Sequence, residues 1–122
     1  MTVAAPARPR RSCLYVPGAN ARALEKAKLL PADAFILDLE DAVAPDAKAD
    51  ARDAIRTAVS GRAYGAREIL IRVNGLETEW GQDDLEMGAS AGVAGVLVPK
   101  VTSGDDVRFV DQLLNDAGAS PG

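Results

Sequence analysis

The chain has no histidine and a single cysteine, Cys13, among its 122 residues. A Ser/His/Asp triad, a Cys/His nucleophile, a Cys/His zinc site and a disulfide framework are therefore excluded within it. Any metal held here needs oxygen ligands. Positive charge is not in excess either: 14 Lys and Arg stand against 18 Asp and Glu, for a net charge of −4. That balance gives no electrostatic reason to expect nucleic acid or an anionic membrane surface as partner. No apolar run approaches the roughly 20 residues that span a bilayer. A hydrophobic fraction of 48% suits a globular domain, and the expectation is a soluble, cytoplasmic protein.

The opening stretch carries Arg8, Arg10 and Arg11 but lacks the apolar centre of a secretory signal. Acidic residues are absent until Glu25, so a basic organellar presequence stays open. Residues 1–11 are expected to form a disordered leader and residues 12–122 the folded part.

Beyond the leader two periodicities alternate. Ser12 to Val16, Ala34 to Leu39, Ile69 to Val73 and Val96 to Val98 are short apolar runs rich in branched residues, and each reads as a strand. Between them lie helical patterns. Asn20 can cap a helix presenting Leu24, Ala27 and Leu30; Asp46 can cap one presenting Ala51, Ala54, Ile55, Ala58 and Val59. Thr78 precedes a weaker stretch through Leu85 and Met87. Ser103, with Asp106 three residues later, starts a fourth helix bearing Val107, Val110, Leu113 and Leu114. The order βαβαβαβα implies an α/β fold with a parallel sheet and right-handed crossovers.

Adjacent strand residues point to opposite faces, so each strand can be divided. Phe35, Leu37 and Leu39 share one face, leaving Ile36, Asp38 and Glu40 on the other. Ile69, Ile71 and Val73 oppose Leu70, Arg72 and Asn74, while Val96, Val98 and Lys100 align. Each strand thus has an apolar face and a face that turns polar at its C-terminal end. Doubly wound sheets and (β/α)8 barrels both place active sites at such ends. Lys100 reads first as a solvated strand-end charge, and Asp41 as loop decoration. Arg72 sits inside a strand, where an Arg is almost never buried without a partner; Asp38 and Glu40 are its natural partners. A structural ion pair and a catalytic charge fit that pattern equally.

Five segments, in order and spacing, resemble the citrate lyase beta subunit and malyl-CoA lyase family of the HpcH/HpaI aldolase superfamily. They are Arg11 to Gly18, Leu24-Glu-Lys26, Ile36-Leu-Asp-Leu-Glu-Asp-Ala-Val-Ala-Pro-Asp-Ala-Lys48, Ile71-Arg-Val-Asn-Gly75 and Val98-Pro-Lys100. The resemblance implies a (β/α)8 TIM barrel that uses magnesium to cleave a 3-hydroxyacyl-CoA, such as malyl-CoA or citryl-CoA, into acetyl-CoA and a keto acid. A barrel of that kind takes about 250 residues. The chain is accordingly expected to be the N-terminal (βα)4 half of a lyase domain and inactive alone. The metal-ligating carboxylates would lie beyond Gly122, so no metal ligand is expected within it.

By the same resemblance Arg72 is the catalytic residue, contacting the thioester carbonyl and the substrate. Tyr15, Lys26 and Asn74 join it in substrate binding, with Lys26 meeting CoA phosphates. Asp38, Glu40 and Asp41 are acidic residues around the site that orient Arg72 or metal-bound water. The family's other CoA-contacting Arg aligns nearer Asn20, and Arg22 is a displaced substitute. The implied partners are an acyl-CoA, a keto acid and further copies of the chain, as trimer or hexamer, with no nucleic acid and no membrane. A pyruvate-type class II aldolase of the same superfamily and a non-catalytic α/β module that binds a partner or small anion remain the alternatives. A phosphoacceptor domain is disfavoured, because the third strand ends in Arg72-Val-Asn74 without an Asp to receive phosphate.

Overall fold

The computed structural model describes residues 8–119. Each βα unit forms where the apolar period changes from two to about 3.6. Strand β1 (Cys13–Pro17) leads to α1 (Ala21–Ala27), whose cap Asn20 accepts a hydrogen bond from the Ala23 amide at 3.0 Å. Strand β2 (Ala34–Asp38) is followed by a 3-10 turn at Pro45–Ala47 and by α2 (Lys48–Ser60). Then come β3 (Glu68–Arg72), α3 (Gly81–Ala91), β4 (Gly95–Leu97) and α4 (Gly104–Asp116). All pairings are parallel and the strand order is β1-β2-β3-β4.

Consecutive helices pack on one another, α1 on α2, α2 on α3 and α3 on α4, so all four cover the same face of the sheet. This one-sided progression is how right-handed crossovers build a barrel wall rather than a doubly wound sheet. The covered face holds the core: Phe35, Leu37 and Leu39 of the β2 stretch and Ile71 and Val73 of the β3 stretch meet Leu24, Ile55, Leu85 and Met87 from the helices. The opposite face carries Tyr15, Ile36 and Leu70 in one register row, and Pro17, Asp38, Arg72 and Leu97 in the next.

Several local expectations need correction. Asp46 caps nothing: Pro45 has already turned the chain into the 3-10 segment, and the residue before α2 is Ala47, which makes no side-chain cap. Thr78 donates to the Gly75 carbonyl within its loop, and the residue before α3 is Trp80. Val107 is 56% exposed, bordering an open groove with Val98 and Val101 instead of entering the core. Val96 pairs in register with Ile71 and therefore faces the helices; Leu97, level with Arg72, is the β4 residue on the open face. Of the leader, residues 1–7 lie outside the described residues. Residues 8–11 are tied to the lower end of the sheet, where Arg8 donates to the Ala66 carbonyl, Arg10 pairs with Glu68 and Arg11 with Asp33.

Gly18 brings the end of β1 against the end of β2. A Cβ there would lie 2.7 Å from both the Asp38 carbonyl oxygen and Ile55 Cδ1, and the Gly18 amide donates to that same carbonyl at 2.8 Å. Only glycine permits this approach.

Candidate active site

Asp38 and Arg72 are the last residues of β2 and β3 and are register partners. The shared row places the guanidinium alongside the carboxylate, and they form a two-pronged pair: Arg72 Nε donates to Asp38 Oδ1 at 2.8 Å and Nη2 to Oδ2 at 2.7 Å. Asp38 is 1% exposed, and its oxygens also accept the amides of Glu40 at 2.9 Å and Ala42 at 3.1 Å. Burial pushes the Asp38 carboxyl up, but the Arg72 fork and the two amides outweigh it and hold the group below its ordinary value. The bond to Asp38 likewise raises Arg72 against the opposing effect of burial. Both groups are charged across the working pH range.

Two edges of the guanidinium are thereby committed. Its Nη1 points toward Glu40, 3.7 Å from Oε1, an ion pair without a hydrogen bond. Glu40 is itself buried, and its Oε2 lies 3.4 Å from Lys100 Nζ. The Tyr15 ring supports the guanidinium from below, 4.8 Å from ring centroid to Arg72 Cζ. Two carboxylates and two cations alternate at the strand ends, and the donors not locked in place are Arg72 Nη1 and the exposed Lys100 ammonium. A rigid, partly dry guanidinium with one uncommitted edge is suited to an oxygen that gains negative charge during a reaction.

The structure brings Arg72, Asp38, Glu40 and Tyr15 together. Asn74 stands one step away, its Nδ2 donating to the Leu39 carbonyl at 2.9 Å and to Asp84 Oδ2 at 2.7 Å. Asp41 is exposed and makes no ion pair among the described residues. Lys26 is exposed in the last turn of α1 and Arg22 is exposed in its first turn; neither bonds to the Arg72 group among the described residues.

Three participants escaped the sequence reading. Lys100 is solvated as its strand-end position predicts, yet it also pairs with Glu40, and its backbone takes the left-handed conformation, φ 57°, uncommon for a side chain of this kind. Its alignment with Val96 gave no signal, because Val96 faces the helices and the left-handed turn at Lys100 leaves the strand's alternation. Asp84, fully buried, accepts from the Asn74 amide at 2.9 Å and from Arg52 Nε at 2.9 Å, joining α2 and α3 to the end of β3. Lys48, also buried, reaches the carbonyls of Leu39 and Glu40.

Divalent cations do not fit this donor set. Both Asp38 oxygens are occupied by N–H groups, Glu40 is flanked by two cations, and no cluster of three His, Cys, Asp or Glu suited to a metal exists among the described residues. A cavity of about 490 Å³ opens at the other end of the strands, lined by Tyr64, Arg67 and Glu68. Of its charged groups, Arg67 donates to the Ala27, Lys28, Leu30 and Tyr64 carbonyls, Glu68 pairs with Arg10, and Arg62 is exposed.

Residues 11–120 match a family model described as HpcH/HpaI aldolase/citrate lyase. The chain is 51% identical over 110 residues to a (3S)-malyl-CoA thioesterase of Cereibacter sphaeroides, covering 90% of this chain and 39% of that protein. It is 41% identical over 114 residues to an L-malyl-CoA/beta-methylmalyl-CoA lyase of the same species, covering 91% and 36% respectively. Among solved structures it superposes on the citrate lyase beta subunit of M. tuberculosis, complexed with oxaloacetate and magnesium. That match has a TM-score of 0.65 and 32% identity, and covers 83% of this chain and 44% of that one. The chain thus spans about two fifths of the length of the relatives it matches, and its four parallel βα units are part of their TIM barrel.

Proposed function

The chain belongs to the HpcH/HpaI aldolase/citrate lyase family, and from that premise we propose that residues 12–122 are the N-terminal (βα)4 part of a carbon–carbon lyase acting on a 3-hydroxyacyl-CoA of the malyl-CoA or citryl-CoA type. The observation that carries this reading is the Arg72 guanidinium, pinned on Asp38 by two donors at the C-terminal ends of β2 and β3, with its Nη1 making no hydrogen bond among the described residues and lying 3.7 Å from Glu40 Oε1. Breaking the bond between the α- and β-carbons of such a thioester leaves the electron pair on the acetyl unit as an enolate, whose charge rests on the thioester oxygen. Arg72 Nη1 donates to that oxygen. Asp38 keeps the guanidinium from following the substrate, so the donor is preorganised and needs no rearrangement as charge develops. Tyr15 shields one side of Arg72 from water and Lys100 offers a second positive charge toward the anionic substrate. Lys26, away from this group, is left to CoA phosphate.

The citrate lyase relative is complexed with magnesium. We propose the same dependence here, with ligands supplied from outside the described residues. Partners in this reading are an acyl-CoA, a keto acid and further copies of the chain, as trimer or hexamer in the cytoplasm. No helix among the described residues is long and apolar enough to cross a membrane.

The 51% identity to a malyl-CoA thioesterase favours a second reading. Hydrolysis of the same thioester also develops negative charge on the carbonyl oxygen, so Arg72 Nη1 serves either reaction. Products decide between them. The whole protein incubated with malyl-CoA is expected to yield acetyl-CoA and glyoxylate; malate with free CoA thiol would assign the thioesterase. For either outcome Arg72→Ala is expected to lower kcat roughly 10²–10³-fold, about 2.7–4 kcal/mol, as loss of one oxyanion donor does. Arg72→Lys should restore only part of it, because an ammonium cannot hold Asp38 with a fork and present a third edge. Near-normal turnover by Arg72→Ala would remove Arg72 from the chemistry.

A further inference from the structure

Lys48 is the first residue of α2 and is 6% exposed. A buried ammonium is costly, and at a helix N-terminus it also opposes the positive end of the helix dipole. No carboxylate lies within ion-pair distance of it among the described residues. Instead its Nζ donates to two consecutive main-chain carbonyls, Leu39 at 2.9 Å and Glu40 at 3.0 Å, and sits 5.1 Å from the centroid of the Trp80 ring. Consecutive carbonyls of an extended strand point in opposite directions. Convergence of both on one ammonium means that the chain has left the strand at Leu39.

The same turn is gripped from its other side, where the Asp38 carboxylate takes the amides of Glu40 and Ala42. Asn74 adds a second donor to the Leu39 carbonyl. Glu40, the residue between these grips, pairs with Arg72 and Lys100. A neutral side chain of similar length would fill this space without the cost of a buried charge, but would leave two buried carbonyls without that donor.

We propose that Lys48 is a positioning residue: it fixes the β2-end turn so that Glu40 is presented to Arg72 and Lys100. The proposal rests on the reading of Arg72 as the working group of the site. Lys48 touches no reacting atom and acts through Glu40.

The test uses the whole protein and a double-mutant cycle. Lys48→Met is expected to lower kcat for thioester cleavage about 10–100-fold, the scale of a misplacement near 1 Å, while KM for the acyl-CoA changes little. In a Glu40→Gln background the same substitution should change kcat less than about threefold, because the residue it positions is no longer ionised. A purely structural Lys48 gives the opposite pattern: lower thermal stability, unchanged kcat per folded molecule, and equal effects in both backgrounds. Either of those kinetic results overturns the proposal. Lys48→Gln keeps two N–H donors on a shorter, uncharged arm and serves if the Met variant does not fold; the same coupling to Glu40 is expected with a smaller loss. Amide hydrogen exchange reads the turn independently of activity. In the variants the Glu40 and Ala42 amides should exchange at least about tenfold faster while those in the middle of α2 keep their rates, and unchanged exchange at Glu40 and Ala42 overturns the proposal. If the wild type cleaves none of the thioesters, the functional reading fails on that result alone, and the exchange measurement still decides the role of Lys48.

Discussion

Asp84 supplies the sharpest stability prediction. Its carboxylate is fully buried, with Oδ1 accepting from Arg52 Nε at 2.9 Å and Oδ2 from the Asn74 amide at 2.9 Å and the Asn74 side chain at 2.7 Å. Asp84→Ala removes one partner of a buried ion pair. Arg52, whose side chain is 14% exposed, keeps its charge without a carboxylate, and two N–H groups of Asn74 lose their acceptor. Stranding one member of a buried pair costs about 3–5 kcal/mol, and each orphaned donor about 1–3 kcal/mol. These losses do not add, because Arg52 opens partly to water and one relaxation serves all three groups, so the expected total is about 3–5 kcal/mol. Urea unfolding of the whole protein followed by circular dichroism, with the slope unchanged, measures it. If the stranded charge dominates, Arg52→Met added to Asp84→Ala should recover part of the loss, because a cation no longer sits in a dry site. A single-variant loss below about 1 kcal/mol, or a double variant less stable than Asp84→Ala, would refute the reasoning.

Three other outcomes are expected. The Asp38 carboxyl is held below its ordinary value in the folded chain, so its contribution is complete above the ordinary carboxylate range, about pH 4, and is lost as pH falls through the lower folded value. Melting temperatures of wild type and Asp38→Asn should converge as pH drops below about 4, and parallel curves would contradict the assignment. Lys26→Ala should raise KM for the acyl-CoA with kcat nearly unchanged, the difference shrinking at high salt; a salt-independent fall in kcat would remove Lys26 from CoA binding. Residues 1–122 expressed alone leave β1 and β4 as open sheet edges and Val101, Val107 and Phe109 exposed, so sedimentation should show association and magnesium should not raise the melting temperature. A compact monomer with a magnesium-dependent melt would support a self-contained module instead.

The fold was legible because it is written in residue type and period. The four apolar runs fall within one residue of the observed strands, and Asn20 and Ser103 cap α1 and α4 through their own side chains. Asp46 failed as a cap because capping depends on the conformation preceding the helix, and Pro45 changes that conformation. Val107 and Val96 were misassigned for a related reason. An apolar residue states only that it avoids water; which face it occupies is fixed by the register of its strand or by the neighbours of its helix.

The site was legible where side chains meet side chains. A strand-interior Arg needs an anion, and strand alternation offered Asp38 and Glu40; the structure supplies both, one as a fork and the other as a looser ion pair. The sequence left structural and catalytic readings of Arg72 equal, and the geometry explains why they need not compete. The fork consumes Nε and Nη2 in holding β2 to β3, while Nη1 makes no hydrogen bond among the described residues. Lys48, and Asp84 in part, bind main chain. Lys48 answers to the carbonyls of Leu39 and Glu40, and Asp84 to the Asn74 amide. Every residue carries the same amide and carbonyl, so such partners leave no mark in residue type; they exist only once the turn after β2 has closed. These buried charges are also what stop the turn from opening. Asp38 takes the amides of this turn and Lys48 its carbonyls, so Glu40 is held in place, whereas the exposed Lys100 is paired among the described residues with Glu40 alone, at 3.4 Å. The strand ends therefore carry a fixed cation, Arg72, and an exposed, loosely held one, Lys100.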